Sequence, residues 1–251
     1  MATSALARTD LEAILRARKL DRTVARPDAT PDSQQILPTG MAALDARLGG
    51  GLPRGQVSEL TGVRSSGRTS LMSAMLAAAT HRSELVALVD PLDMFDPESA
   101  ASCGVLLDRV LWLRGDASSR GPERTRAQPV YERALDRGVK ALNLVLQAGG
   151  FDLVVFDMAD VPADAIRRLP FTTWFRLQRV VEGSRTACLV IAPVPTTRSA
   201  DGVSIQLSHG ERRRDATREW NERLFLGFEL SARIVRACEP EEAAVDLRFR
   251  A

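Results

Sequence analysis

Between Gly62 and Thr69 the chain reads GVRSSGRT. This fits the phosphate-binding template G-x-x-x-x-G-K-[ST] at every fixed position except the lysine, which is Arg68. The flanks match what such a loop needs. Val57-Ser58-Glu59-Leu60-Thr61 reads as a short alternating strand, and Leu71, Met72, Met75, Leu76 and Ala79 recur at helical spacing behind the loop. Strand, glycine loop and helix together aim a helix N-terminus at an anion. Gly62, Ser65, Ser66, Gly67, Arg68 and Thr69 are therefore the candidate nucleotide-binding residues. The competing reading is a tight strand-to-helix turn with no ligand. A guanidinium is larger, planar and forked, so Arg68 does not replace an ammonium in a pocket shaped for one. The loop predicts weak affinity for ATP and Mg²⁺.

At 251 residues the chain is one large domain, or one domain with appendages, and its hydrophobic content of 45% is enough for a full core. No apolar run approaches the roughly 20 residues of a membrane helix, and Met1 to Arg8 lacks a signal-peptide apolar region. A cytoplasmic protein without membrane contact is expected. Cys103, Cys188 and Cys238 lie far apart without metal-ligand spacing and read as buried thiols in a reducing compartment. His81 and His209 form no constellation. A net charge of +2 gives no bulk electrostatic case for nucleic acid.

Thr9-Asp10-Leu11-Glu12 reads as a capping box, with Leu11, Ile14 and Leu15 on one face of a short helix ending near Lys19. Asp21 to Gln35 is polar, carries Pro27 and Pro31, and reads as a linker. The chain thus divides into a helix and linker over residues 1–35 and a core over residues 36–251. Leu11, Ile14 and Leu15 are candidate partner-binding residues, since their apolar face packs either on the core or on another chain. Strands are expected at Val57–Thr61, Leu85–Asp90, Val110–Leu113, Leu153–Asp157 and Ala187–Ala192. Helical stripes lie at Tyr131, Leu135, Val139, Leu142 and Val145/Leu146, and at Phe171, Trp174, Phe175, Leu177 and Val181. Apolar strands alternating with helices mean an α/β fold, a mostly parallel sheet covered on both faces. Gly115 to Pro129 reads as a polar surface loop, and Ala216–Leu224 as a short helix. Phe228–Ala237 and Ala244–Phe249 read as an antiparallel C-terminal hairpin around Cys238–Glu242 at the sheet edge.

Asp157 closes the run Phe151-Asp152-Leu153-Val154-Val155-Phe156-Asp157, about 90 residues after the phosphate loop. An aspartate there sits at the carboxyl edge of a parallel sheet, where with Thr69 it holds Mg²⁺ if a nucleotide binds. The alternative is a strand-end aspartate that caps the next turn.

These residues, with Thr39-Gly40-Met41-Ala42-Ala43-Leu44-Asp45 and Leu48-Gly49-Gly50-Gly51-Leu52-Pro53-Arg54-Gly55-Gln56, resemble the RecA/RadA recombinase family. The resemblance covers about Ile36 to Ala192 and extends to Val89-Asp90, Asp96-Pro97 and the Walker B strand Leu153–Asp157. It implies a RecA-like phosphate-loop core. It also exposes departures. The family's loop lysine is Arg68, its catalytic glutamate falls on Leu92, and its Asn-Gln sensor falls on Pro193-Val194-Pro195. Asp93, one residue out of register, is a candidate catalytic remnant. The first DNA-binding loop is shortened, and so is the second, around Thr196–Gln206. Loss of a positioned general base alone removes about 10²–10⁴-fold in rate, about 3–5 kcal/mol.

Among degenerate members, the chain resembles the ImuA (SulA-related) group, RecA-like accessory proteins of bacterial DNA-damage-induced mutagenesis and the SOS response. That resemblance implies an adaptor in translesion synthesis, with ImuB (an inactive Y-family polymerase homologue), RecA or a second copy as partner. The alternative is a slow DNA-stimulated ATPase using Arg68, Thr69, Asp157 and Asp93. Arg212, Arg213 and Arg214 are candidate DNA-binding residues, since clustered arginines supply phosphate affinity for single-stranded DNA. Only Trp220 stands near them for base stacking, and a solvated charged loop is the competing reading.

Overall fold

The computed structural model describes residues 35–116, 128–197, 202–208, 212–214, 225–236 and 244–250. The segment with Leu11, Ile14 and Leu15, the expected helix Ala216–Leu224 and the turn Cys238–Glu242 lie outside the described residues.

The core begins with β1 (Ile36–Leu37), α1 (Ala42–Arg47) and β2 (Leu52–Pro53), where β1 and β2 pair antiparallel. β3 (Val57–Gly62) leads into α2 (Arg68–His81), and β4 (Val86–Asp90) into α3 (Pro97–Ser102). β5 (Val110–Arg114) precedes α4 (Gln128–Ala148), and β6 (Leu153–Asp157) precedes α5 (Ala163–Arg167) and α6 (Thr172–Val181). β7 (Ala187–Ala192), β8 (Ser204–Ser208), β9 (Arg212–Arg214), β10 (Phe225–Arg236) and β11 (Ala244–Arg250) complete the main sheet. Its order is β11-β10-β8-β3-β7-β6-β4-β5, with β9 pairing β10 off this path. From β8 to β5 every pairing is parallel, while β10 joins β8 and β11 antiparallel. The expected fold class is observed, with the C-terminal hairpin at the β11 edge.

Two apolar layers sandwich the parallel strands. On one face Leu71, Met72, Met75 and Leu76 of α2 pack with Leu60, Leu88, Val155 and Leu189. On the other, Tyr131, Leu135 and Leu142 of α4 and Trp174, Leu177 and Val181 of α6 pack with Val89, Val154, Phe156 and Val190. Helix α4 lies unusually close to the sheet at Gly138. A Cβ there would come within 2.7 Å of Pro91 Cγ and 2.9 Å of Phe156 Cε2.

Several sequence expectations need correction. β3 alternates in sequence yet is buried at every position, because helices cover both of its faces. Gln128 and Pro129 open α4 and do not belong to the preceding loop; proline suits a first helical turn. Ser204–Gln206, read as part of a DNA loop, belongs to β8 and pairs with β3. Arg212–Arg214 form a strand against β10, not a loop. Cys103 is exposed, whereas Cys188 is buried and its thiol is pushed up to about 12 by burial. On α6, Phe171 and Phe175 fall outside the buried stripe and are exposed.

At the amino edge of the sheet one arginine joins four segments. Arg54 donates to Ile36 O, to Glu84 Oε1 at 2.8 Å, to Asp152 Oδ1 at 3.0 Å and to Arg185 O at 2.6 Å. Its side chain is largely buried. Arg54→Met keeps the length and removes every donor. Glu84 keeps its pair with Arg82 and Asp152 keeps the Leu85 N–H, but both lose Arg54, and we expect a loss of about 2 kcal/mol in chemical denaturation. An unchanged midpoint would show that solvent replaces the arginine.

Candidate nucleotide site

The phosphate loop spans the end of β3 and the start of α2. Ser66 N donates to Val63 O at 3.1 Å, closing a tight turn, and Leu71 N donates to Gly67 O at 2.9 Å as α2 begins. Gly67 holds φ +89°, a left-handed value that favours glycine, and Ser65 is also left-handed at +61°. Gly62 is required by contact, since a Cβ there would run into Ser66 Oγ and Leu207 O. Ser66 Oγ is buried with no hydrogen-bond partner, and Thr69 is exposed. The backbone, Ser66 and Thr69 therefore fit a phosphate group.

Several side chains around the loop are held by partners within the protein. Arg68 is buried, and its Nη1 donates to Ala159 O at 2.9 Å, just past the end of β6. The guanidinium ties the loop to the chain just past β6, across the intervening strand β7. Burial lowers its pKa, against the attraction of Asp157 and Asp160. Asp157 accepts from Ala159 N at 2.9 Å. Its carboxyl is pushed up to about 6, chiefly by burial and further by Asp90 and Asp160, despite the Ala159 N–H and Arg68. Both partners thus shift toward neutrality, so their attraction does not offset the loss of solvent around them. Because arginine stays protonated, the shift that matters is the upward one on Asp157.

The chain just after β4 is packed into the core. Leu92 is 2% exposed and packs in the layer under α4. Asp93 is buried with φ +57°, and Arg114 Nε and Nη2 grip its carboxylate at 2.8 and 3.1 Å. Arg114 also lies 4.3 Å over the Trp112 ring, and Trp112 meets Phe95 edge to face at 5.3 Å. Asp90 Oδ2 accepts from Phe95 N at 2.8 Å and Trp112 Nε1 at 3.3 Å. The strand-end carboxylates here hold a loop together. Neither Trp112 nor Arg114 stood out in the sequence. A charged residue closing an apolar strand, as Arg114 closes β5, is the signal that marks it.

On the other side of the loop, Glu59 in the middle of β3 is 1% exposed. It accepts from Thr196 N and Thr197 N, both at 2.9 Å, from Thr197 Oγ1 at 3.1 Å and from Ser204 Oγ at 2.7 Å. Burial alone would raise its pKa, but these donors outweigh burial and lower it. The segment after β7 that follows Pro193-Val194-Pro195 is held by Glu59. Arg212–Arg214 stand on β9, in the antiparallel wing beyond β8.

A phosphate loop at the carboxyl edge of a mostly parallel, doubly covered sheet defines a phosphate-loop α/β domain. The RecA N-terminal domain family matches residues 23–166, more than half of the chain, and the chain belongs to that family. It is 36% identical over 131 residues to Protein RecA of Streptomyces coelicolor, covering 52% of this chain and 30% of that protein. It is 41% identical over 90 residues to Protein RecA of Chloroflexus aurantiacus, covering 36% of this chain and 26% of the relative. The chain thus spans under a third of the length of these relatives.

Two carboxylates, partly exposed Asp157 and buried Glu59, make opposite pH predictions. Asp157 holds a proton in the folded state up to about pH 6 but releases it near 3.8 when unfolded, so its contribution falls as pH rises through that window. The stability of Asp157→Asn relative to wild type should therefore grow by about 1–2 kcal/mol from pH 4 to pH 8, a value discounted for partial exposure. Glu59 has a lowered folded pKa, so its contribution is present above 4.5 and is lost as pH falls through the folded value. Glu59→Gln should cost about 2 kcal/mol at pH 7, shrinking in acid. Denaturant titrations across pH check both, and parallel curves for variants and wild type would refute both assignments.

Proposed function

We propose that this protein is a RecA-like accessory protein of bacterial DNA-damage-induced mutagenesis, an adaptor in translesion synthesis that does not turn over ATP. The observation that carries the reading is the fate of the catalytic positions. Leu92 is packed in the core, Asp93 is gripped by Arg114, and Arg68 donates to Ala159 O. A general base needs an accessible carboxylate within reach of water, and a phosphate-stabilising cation needs a free head group. Both groups are occupied within the protein. The partners that fit the ImuA resemblance are an ImuB-like polymerase homologue, RecA or a second copy, met through Leu11, Ile14 and Leu15. Arg212, Arg213 and Arg214 are the residues proposed for contact with single-stranded DNA.

One observation favours a second reading, a slow DNA-stimulated ATPase. The loop keeps the backbone form of a phosphate site, and buried Ser66 Oγ has no partner. A bound phosphate would satisfy that hydroxyl, with Thr69 and Asp157 then available for Mg²⁺. On the adaptor reading, nucleotide binds weakly or not at all.

Calorimetric titration with Mg·ATP and a hydrolysis assay with and without single-stranded DNA separate the two. We expect weak or undetectable binding and no turnover above background. Arg68→Lys should not create turnover, because Leu92 still supplies no base. Robust hydrolysis by the wild type, abolished in Asp157→Ala, would sink the adaptor reading.

A further inference from the structure

Two residues of the α6 stripe that the sequence pattern would bury, Phe171 and Phe175, stand exposed in the fold. At 100° per residue, Trp174, Leu177 and Val181 share the face turned to the sheet. Phe171, Phe175 and Arg179 form a row at i, i+4 and i+8 along the outer flank of the helix, with Arg176 beside it. Phe171 is 46% and Phe175 56% exposed. Their rings meet edge to face, 4.7 Å between centroids and 90° between planes, so the pair is an ordered apolar ridge. Among the described residues Arg176 and Arg179 form no ion pair, whereas Arg167 and Arg168 are paired with Asp164 and Glu132. Over residues 163–185 five arginines face two acidic residues, Asp164 and Glu182.

We infer that the outer face of α6, formed by Phe171, Phe175, Arg176 and Arg179, docks a short acidic segment of a partner protein that carries an apolar anchor. Charge selects the occupant. Unpaired guanidiniums beside an apolar ridge call for carboxylates flanking an aromatic or leucine side chain. Exposed aromatics with neighbouring arginines are also the residue types that dominate protein interfaces. Single-stranded nucleic acid fits less well. It needs a groove with successive open stacking faces, while a helix surface is convex and each phenylalanine covers part of the other. The surface lies on a different helix from the phosphate loop, so the inference stands whether or not nucleotide binds.

The test is a selection of phage-displayed random peptides on the full chain, followed by fluorescence anisotropy with the enriched peptides. Enriched sequences should combine Asp or Glu with Phe, Leu or Trp and bind equally with and without ATP. Phe175→Ser, and Arg176→Glu with Arg179→Glu, should each weaken binding by more than about tenfold. Both are exposed positions, so thermal melts should match wild type. Arg179→Lys should keep most of the affinity. Three results overturn the inference. The enriched peptides bind the variants as they bind wild type. Labelled oligothymidine displaces them and is itself lost in the same variants, which makes the face a nucleic-acid surface. Or wild type sediments as an oligomer that Phe175→Ser dissolves, which makes a second copy the occupant.

Discussion

A carboxylate buried in the middle of a parallel strand is the contact on which the candidate site is hung. Glu59 lies in β3, with helices above and below, and has no access to water. Such a charge is tolerated only when its oxygens are satisfied in place. The donors come from Thr196, Thr197 and Ser204, 137 to 145 positions further along the chain. Satisfying Glu59 therefore fixes the segment after β7 and the start of β8. It also ties the strand that feeds the phosphate loop to the strand that joins the antiparallel wing. Arg54 does the corresponding work at the amino edge. Between these two charged anchors the sheet is apolar and close-packed.

At the carboxyl edge the same rule has a functional consequence. An active site keeps charged groups incompletely paired so that substrate completes them, and that arrangement costs stability. Here Asp93, Asp90 and Arg68 meet internal partners instead. Arg114 both pairs with Asp93 and covers Trp112, so the turn after β4 becomes part of a packed cluster. Asp157, whose carboxyl pKa is raised, and the hydroxyl of Ser66 are left incompletely satisfied among the described residues.

How much of this was legible depends on how local each cause is. Parallel strands buried on both faces read as apolar runs, so Leu153–Asp157 and Ala187–Ala192 are visible in the sequence with their observed bounds. The α4 stripe is visible because one helix covers one sheet face. β8 is not, because Ser-Ile-Gln-Leu-Ser alternates weakly and its pairing with β3 is set by distant chain. Helical periodicity placed Phe171 and Phe175 near Trp174 and Leu177 but did not say how wide the buried stripe is. That width is set by α4, α5 and the sheet, which leave α6 room for one row of large side chains. The partners of Arg68 and Arg114 were likewise invisible, since the loop motif specifies backbone and says nothing of where a replaced side chain turns.

Internal pairing at the carboxyl edge also acts on the rest of the domain. A recombinase core must change shape around its nucleotide, and groups that move cannot also be locked in internal pairs. Pairing Arg68 with the β6 end and Asp93 with Arg114 joins the phosphate loop, β4, β5 and β6 through contacts that no ligand needs to complete. On the adaptor reading that is consistent with a fixed scaffold. A rigid scaffold presents exposed side chains with little entropy left to lose on docking, which favours recognition by outer helix faces over recognition by a ligand-gated cleft. An ordered aromatic pair on α6, next to two arginines with no ion-pair partner among the described residues, is the kind of feature such a scaffold can hold in place.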